Sequence, residues 1–253
     1  MSNIVIDPIN FPLSHDTTTN TQSLHFDGTG DYAEIADHND FSHGSDPWSV
    51  ACWVKRDGSN PDGLFCKGQY GTNTSNLEYR VFWVGANLYV DKTDGSGAAS
   101  ANYKRLQYNA TAGTSWTHLV FTYDGAVTGT WNKVYANGSQ VTASTGGGSD
   151  SDGMSNLAGT FNIGRTNESS FQLGGEVCQF IMWKNYQLSD DEVTYLYASG
   201  AAHRDPTLPS PTYSGHNKVV LWLPYHADLN DDSGNGHNTT AGGNAALAST
   251  VPF

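Results

Sequence analysis

From Leu24 to Lys184 the chain is a series of short apolar runs, each cut off by a turn of Gly, Asn, Asp or Pro. "WSVACWVK" (48–55) is apolar on both faces, as an inner strand is. "GLFCKG" (63–68) follows the turn "RDGSNPDG", and "LEYRVFWV" (77–84) and "NLYVD" (87–91) flank Gly85-Ala86. "WTHLVFTYDG" (116–125), "GTFNIGR" (159–165) and "GGEVCQFIMWK" (174–184) continue the series. "KVYANGSQV" (133–141) predicts a hairpin, because Asn-Gly is the preferred pair for a type I′ turn. Runs this short are strands, and many of them in succession indicate an all-β, antiparallel sandwich or jelly roll. The 28 glycines fit such a turn-rich chain, and so does a charged fraction of 15%, against roughly 25% in an average domain.

The runs divide the chain into four parts. Residues 1–22 read as an extended N-terminal arm, where Pro8 and Pro12 exclude a helix. Its Ile4, Ile6, Ile9, Phe11 and Leu13 suit an added strand seeking a sheet edge on a neighbour. Residues 23–200 form the β domain, and 201–217 a Pro-rich linker. Residues 218–253 hold one strong strand, "KVVLWLPY", and a polar loop. That segment has no second layer of its own, so it is expected to dock on the chain's own β domain. One helix is predicted within "LSDDEVTYLYASG". Ser189 is its N-cap, Glu192 closes a capping box, Leu188 and Val193 form a staple, and Gly200 is expected to end it.

Composition also excludes classes of function. The formal charge is −13, from 25 acidic and 12 basic residues. Such a surface repels phosphate backbones and anionic lipid, so neither nucleic acid nor membrane is an expected partner. No apolar run is long enough for a membrane helix. The start, "MSNIVIDPINFPL", has no basic flank or long apolar stretch and does not read as a signal peptide. Cys52, Cys66 and Cys178 sit in apolar runs and read as buried thiols. No G-x-S-x-G elbow occurs, and the nine histidines have no ligand spacing, so solvated turn histidines are expected.

"LHFDGTGDYAEI" (24–35), "DPWSVACWVK", "WTHLVFTYDG", "VYANGSQV", "FNIGR" and "GGEVCQFIMWKNYQLSDDEV" follow one another in order. Together they resemble the laminin G-like jelly roll of the concanavalin A-like lectin and glucanase superfamily. The resemblance implies a lectin-like sandwich. Glucanases of that superfamily carry E-x-D-x-x-E on one strand, a spacing that sets two carboxylates about 5 Å apart. Glu34, Glu78, Glu168, Glu176 and Glu192 do not fit it, so no enzyme activity is expected. The resemblance also implies a structural Ca2+ between the opening turn and the closing strand. Asp31 matches its first ligand, and Glu176 is the acidic residue nearest the second, where this chain has Cys178. A thiol is a poor ligand for calcium. "DLNDDSGNGHNT" fails as an EF-hand loop, because Ser233 and Thr239 replace its Gly and Glu.

Six of the seven tryptophans lie in strand runs and read as core; Trp131, in "VTGTWNKVY", is the expected exposed platform for a sugar. "VVLWLPYHADLNDDSGNGHN" resembles a segment that often precedes the opening motif of such domains, here placed last. A jelly roll followed by a linker and such a tail resembles the arrangement in tailed-phage virion proteins. Three readings follow. The first is a non-enzymatic virion surface protein, a capsid decoration or tail-associated component, that binds other virion proteins or copies of itself and host glycans. The second is an exported, extracellular carbohydrate-binding module, and the third a glycoside hydrolase.

Overall fold

The computed structural model describes residues 21–59, 61–68, 76–93, 103–109, 113–126, 131–148, 154–167, 170–198 and 205–252. All but the last two residues of the expected arm lie outside the described residues, as do Glu168 and Gly200.

The strands are β1 (Ser23–Asp27), β2 (Tyr32–Ile35), β3 (Trp48–Arg56), β4 (Asp62–Lys67), β5 (Tyr79–Val84), β6 (Asn87–Thr93), β7 (Tyr103–Tyr108), β8 (Thr117–Tyr123), β9 (Asn132–Ala136), β10 (Ser139–Val141), β11 (Ala143–Gly147), β12 (Phe161–Ile163), β13 (Arg165–Asn167), β14 (Phe171–Gln172), β15 (Gly174–Lys184), β16 (Val219–Leu223), β17 (Thr240–Gly242) and β18 (Ala246–Ala248). The helix α1 is Asp190–Tyr197. Two eight-stranded antiparallel sheets face each other in a jelly-roll sandwich. The first runs β10-β9-β8-β3-β15-β1-β18, with β16 also on β15. The second runs β11-β7-β6-β5-β4-β12-β2-β17, and β13 and β14 form a separate ribbon.

Alternation along each strand sends one side chain inward and the next outward. Trp48, Val50, Cys52 and Val54 of β3 meet Phe65, Tyr79, Val81 and Trp83 of β4 and β5 in the central core. The outer face of the first sheet carries a second apolar cluster, in which α1 contributes Val193 and Leu196 and the former linker contributes Tyr213. Strands that are apolar on both faces therefore have a covering layer on each side, which is why β3 and β15 show no polar alternation. The three cysteines are free and buried.

The Asn137-Gly138 hairpin has positive φ at both residues, 51° and 78°, as a type I′ turn requires. The capping box of α1 is present. The helix closes at Ala198 in the left-handed conformation (φ 48°), earlier than Gly200. The run 159–165 is broken in two at Gly164 (φ 84°), where a Cβ would sit 2.4 Å from the Phe26 ring. β16 pairs with the C-terminal half of β15 of the same chain. A register shift between Met182 and Trp183 removes Val220 from simple alternation, so Val219 joins Trp222 in the outer cluster while Leu221 and Leu223 stay in the central core. Among the described residues no helix is long and apolar enough to cross a membrane.

Trp131 is not exposed: 1% of its surface is accessible. It stands just before β9, free of the strand's alternation, and turns into the core. There its ring meets Tyr123 edge-on at 5.9 Å, and the buried Lys92 Nζ lies 5.4 Å from its centroid. A sugar cannot stack on it there.

Candidate functional site

Two places invite a ligand: the opening acidic turn and the outer face of the second sheet. The turn carries the chain from β1 in the first sheet to β2 in the second, so it must cross the edge of the sandwich. Gly28 and Gly30 both have φ 82° and make that bend possible. At the same edge the C-terminal segment makes the reverse crossing: β17 pairs with β2 and β18 with β1. Asp31 joins the two corners. Its Oδ2 accepts the backbone N–H of Asp27 at 2.8 Å and its Oδ1 that of Asn244 at 2.5 Å, and the residue is fully buried.

Glu176 has different partners, Lys55 Nζ at 3.4 Å and His25 Nδ1 at 3.9 Å. Each residue of the expected calcium pair is therefore held by other groups of the fold. Among the described residues one group gathers three ligand atoms, His38, Asp40 and His237, and it includes neither Asp31 nor Glu176. Calcium needs six to eight oxygens. A carboxylate already holding two backbone N–H groups and another facing a lysine do not fit it.

On the outer face of the second sheet, register lines up one polar residue from each of seven neighbouring strands. The row is Arg105, Asp91, Arg80, Cys66, Asn162, Glu34 and Thr240. The ribbon β13–β14 roofs its middle. Arg165 Nε donates to Asn162 Oδ1 at 2.9 Å, its Nη2 donates to Glu34 Oε2 at 2.9 Å, and its guanidinium lies 3.3 Å from the Tyr32 ring centroid. Beneath the roof Cys66 donates to the carbonyls of Gly68 and Arg165, and burial pushes its thiol up to about 12, which makes it unreactive.

The β5–β7 end of the row is partly open. Asp91, 1% exposed, accepts from Arg80 Nε at 2.9 Å and from Arg105 Nε and Nη2 at 2.6 and 2.7 Å. Bonding to Asp91 holds the Arg105 guanidinium above its ordinary range. The side chain of Arg105 is 28% exposed. Its two bonds to Asp91 use two of the five donors a guanidinium has. The guanidinium lies between the rings of Tyr103 (4.8 Å), Tyr89 (5.1 Å) and Phe82 (5.2 Å). Phe82 in turn stacks on Tyr89 at 5.2 Å and meets Phe171 edge-on at 5.1 Å. Tyr89, Tyr103 and Gln107 are half-buried. The result is a rigid patch of planar groups with hydrogen-bonding edges.

The described glutamates are engaged in the fold. Glu34 pairs with Arg165, and Glu78 is buried against Lys67, Ser42 and the N–H of Leu157. Glu192 lines a pocket of about 450 Å3 beside the start of α1. Its Oε1 accepts from Tyr186 Oη (2.7 Å), Ser214 N (2.9 Å) and Ser214 Oγ (3.0 Å), and its Oε2 from Ser189 N (2.9 Å). That carboxylate locks helix to linker and has no capacity left for a substrate.

Sequence reasoning missed Arg105, Tyr103 and Tyr89. Alternation in "NLYVDK" and "YKRLQY" would have placed them on one face, but "YKRLQY" is too polar to stand out as a strand.

Residues 27–194 match the Laminin_G_3 family model, of the concanavalin A-like lectin/glucanases superfamily. No curated protein sequence is similar to the chain. Among solved structures, a candidate carbohydrate-binding protein from Bacteroides ovatus superposes with a TM-score of 0.59 at 15% identity. The match covers 90% of this chain and 60% of that one, so this chain spans well under the full length of the Bacteroides protein. A heptameric pentraxin of Limulus polyphemus superposes with a TM-score of 0.52 at 15% identity, over 88% of this chain and 95% of its own.

Proposed function

The chain belongs to the Laminin_G_3 family of the concanavalin A-like lectin/glucanases superfamily, and from that premise we propose that it is a non-catalytic glycan-binding module. The observation that carries the reading is the patch around Arg105. Pyranose rings present flat C–H faces to planar groups and hydroxyls to donors at their edges. Tyr89, Tyr103 and the Arg105 guanidinium offer both, held in place by the buried Asp91. Anchoring by Asp91 keeps the guanidinium oriented before a ligand arrives, which lowers the ordering cost of binding. The overall charge of −13 opposes polyanions, so the ligands are neutral or singly acidic oligosaccharides. The engagement of Glu34, Glu78, Glu176 and Glu192 in the fold supports the absence of catalysis.

A glycan array with the full chain tests this. One oligosaccharide class should bind, and both Arg105→Ala and Tyr89→Ala should abolish the signal. An array blank for the wild type, or unchanged by both substitutions, overturns it. Location is part of the same proposal: the protein is displayed on a phage particle, bound to other virion proteins or to copies of itself. The support is the order of jelly roll, linker and tail in the sequence. Mass spectrometry of purified particles checks it, and the protein's absence from them leaves the extracellular carbohydrate-binding module.

A further inference from the structure

We infer that His38, Asp40 and His237 form a binding site for a divalent transition cation of the zinc class, which ties the C-terminal segment to the β2–β3 connection. The three residues come from distant parts of the chain. His38 and Asp40 lie at the one-turn 3-10 helix Asn39–Phe41, and His237 lies in the loop between β16 and β17, beyond the family-matched residues. Their potential ligand atoms all lie within 4.8 Å of one another.

One oxygen is the focus. Asp40 Oδ2 stands 3.0 Å from His237 Nε2 and 3.2 Å from His38 Nδ1. Zinc holds imidazole nitrogen and carboxylate oxygen at roughly 2.0–2.2 Å, so tetrahedral ligand atoms sit roughly 3.3 Å apart. The observed spacings are close to that. His38, 52% exposed at its side chain, has room to turn and close the rest.

The proton arrangement favours a cation. His38 Nδ1 accepts the backbone N–H of Asp40 at 3.2 Å. A ring nitrogen that accepts carries no proton, so it cannot also donate to Oδ2. Two acceptors then face each other at 3.2 Å. A metal ion between them takes the Nδ1 lone pair in place of the Asp40 N–H, and so exchanges that cap bond and the repulsion for two metal bonds.

The surroundings fix the ligands. His237 donates its backbone N–H to Asp231 Oδ2 at 3.0 Å, and Asp231 Oδ1 accepts from Trp222 N of β16 at 2.9 Å. The Phe41 ring meets the His237 ring edge-on at 4.9 Å. Lys184 Nζ is the opposing charge. It sits on the other carboxylate oxygen, 3.4 Å from Oδ1, and is held by the Asn39 carbonyl at 2.6 Å, so Oδ2 keeps its lone pairs for the ion. Two imidazoles and one carboxylate select zinc, nickel or copper over calcium and magnesium, which want oxygen alone.

The test uses the full chain stripped of metal. Zinc titrated in a calorimeter should bind with a single equivalent. At about a hundredfold excess over Kd the melting temperature should rise by roughly 5–10 °C, while calcium and magnesium leave it unchanged. Cobalt should give the visible bands of a four-coordinate site. His237→Asn should remove the thermal shift and the bands. His38→Ala, at a half-exposed position where it removes only one cap bond of the 3-10 helix, should do the same. His226→Asn, which removes the separate pair with Asp232, should leave both intact. A wild type that does not bind zinc overturns the site. So does zinc bound equally by His237→Asn and His38→Ala, which would assign the ion to other histidines.

Discussion

Asp31 carries two backbone N–H groups, from Asp27 and Asn244, that meet only in the folded chain. Removing the carboxylate takes the partner from both donors at the point where the two corners meet. Asp31→Ala is expected to destabilise the protein by about 3 kcal/mol, the scale for losing two bonds to a buried charged acceptor. Chemical denaturation would show it as a lower midpoint at unchanged slope; a shift within error would mean that water takes over both donors. Because those donors occupy the site expected for calcium, millimolar calcium should move the melting temperature of the wild type by less than about 1 °C. By mass action a tight site would move it several times further.

At the scale of elements, α1 is short and its ends decide its stability. Ser189 accepts the N–H of Glu192 at 3.3 Å, and Glu192 accepts that of Ser189 at 2.9 Å. Ser189→Ala should cost about 1 kcal/mol, read from the denaturation midpoint. Ala198 ends the helix at φ 48°, a conformation glycine adopts without strain. Ala198→Gly should therefore stabilise by roughly 0.5–1 kcal/mol, and a loss of stability would sink that account of the terminus. β15 shows a different device. Gln179 takes φ 53° where the register with β3 shifts, and its Oε1 accepts from Trp222 Nε1 at 3.1 Å. Along its edge β15 pairs first with β1 and then, past this bulge, with β16, so one strand serves both ends of the chain.

At the scale of the whole molecule, two of the described histidines are stored neutral in the interior. His43 stacks on Trp48 at 5.0 Å, His118 packs between Trp53 and Tyr197, and both are less than 5% exposed. Burial lowers the pKa of each to about 3. The unfolded chain therefore takes up these protons first. The stability they allow is full above the unfolded value of 6.5 and is lost as pH falls through 6.5 towards 3. Between pH 7 and pH 5 the loss should be about 2 kcal/mol for each histidine. The melting temperature should fall from pH 7 to pH 5 accordingly, and His118→Phe should remove about half of that slope against pH. An unchanged slope in the variant would place the acid sensitivity in other groups.

The sequence by itself determined the apolar strands β3, β5, β8, β15 and β16, the hairpin at Asn137-Gly138 and the cap at Ser189. Each rests on neighbours in the chain: alternation, turn chemistry and the reach of one side chain across one helical turn. The two-sided apolar pattern of "WSVACWVK" announced a layer on either face of β3. Tertiary structure alone decided the rest. "YKRLQY" is a strand because β6 and β11 supply its partners, and only the register of β5, β6 and β7 brings Arg80, Asp91 and Arg105 into one row. Trp131 was readable as exposed because nothing local turns it inward; Lys92 and Tyr123, which receive it, are far away in sequence. Asp31 finds Asn244, and His237 finds Asp40, across about 200 residues. Such pairs are fixed by the two chain crossings at the edges of the sandwich, which follow from how the sheets close on each other and leave no mark in any short stretch of sequence.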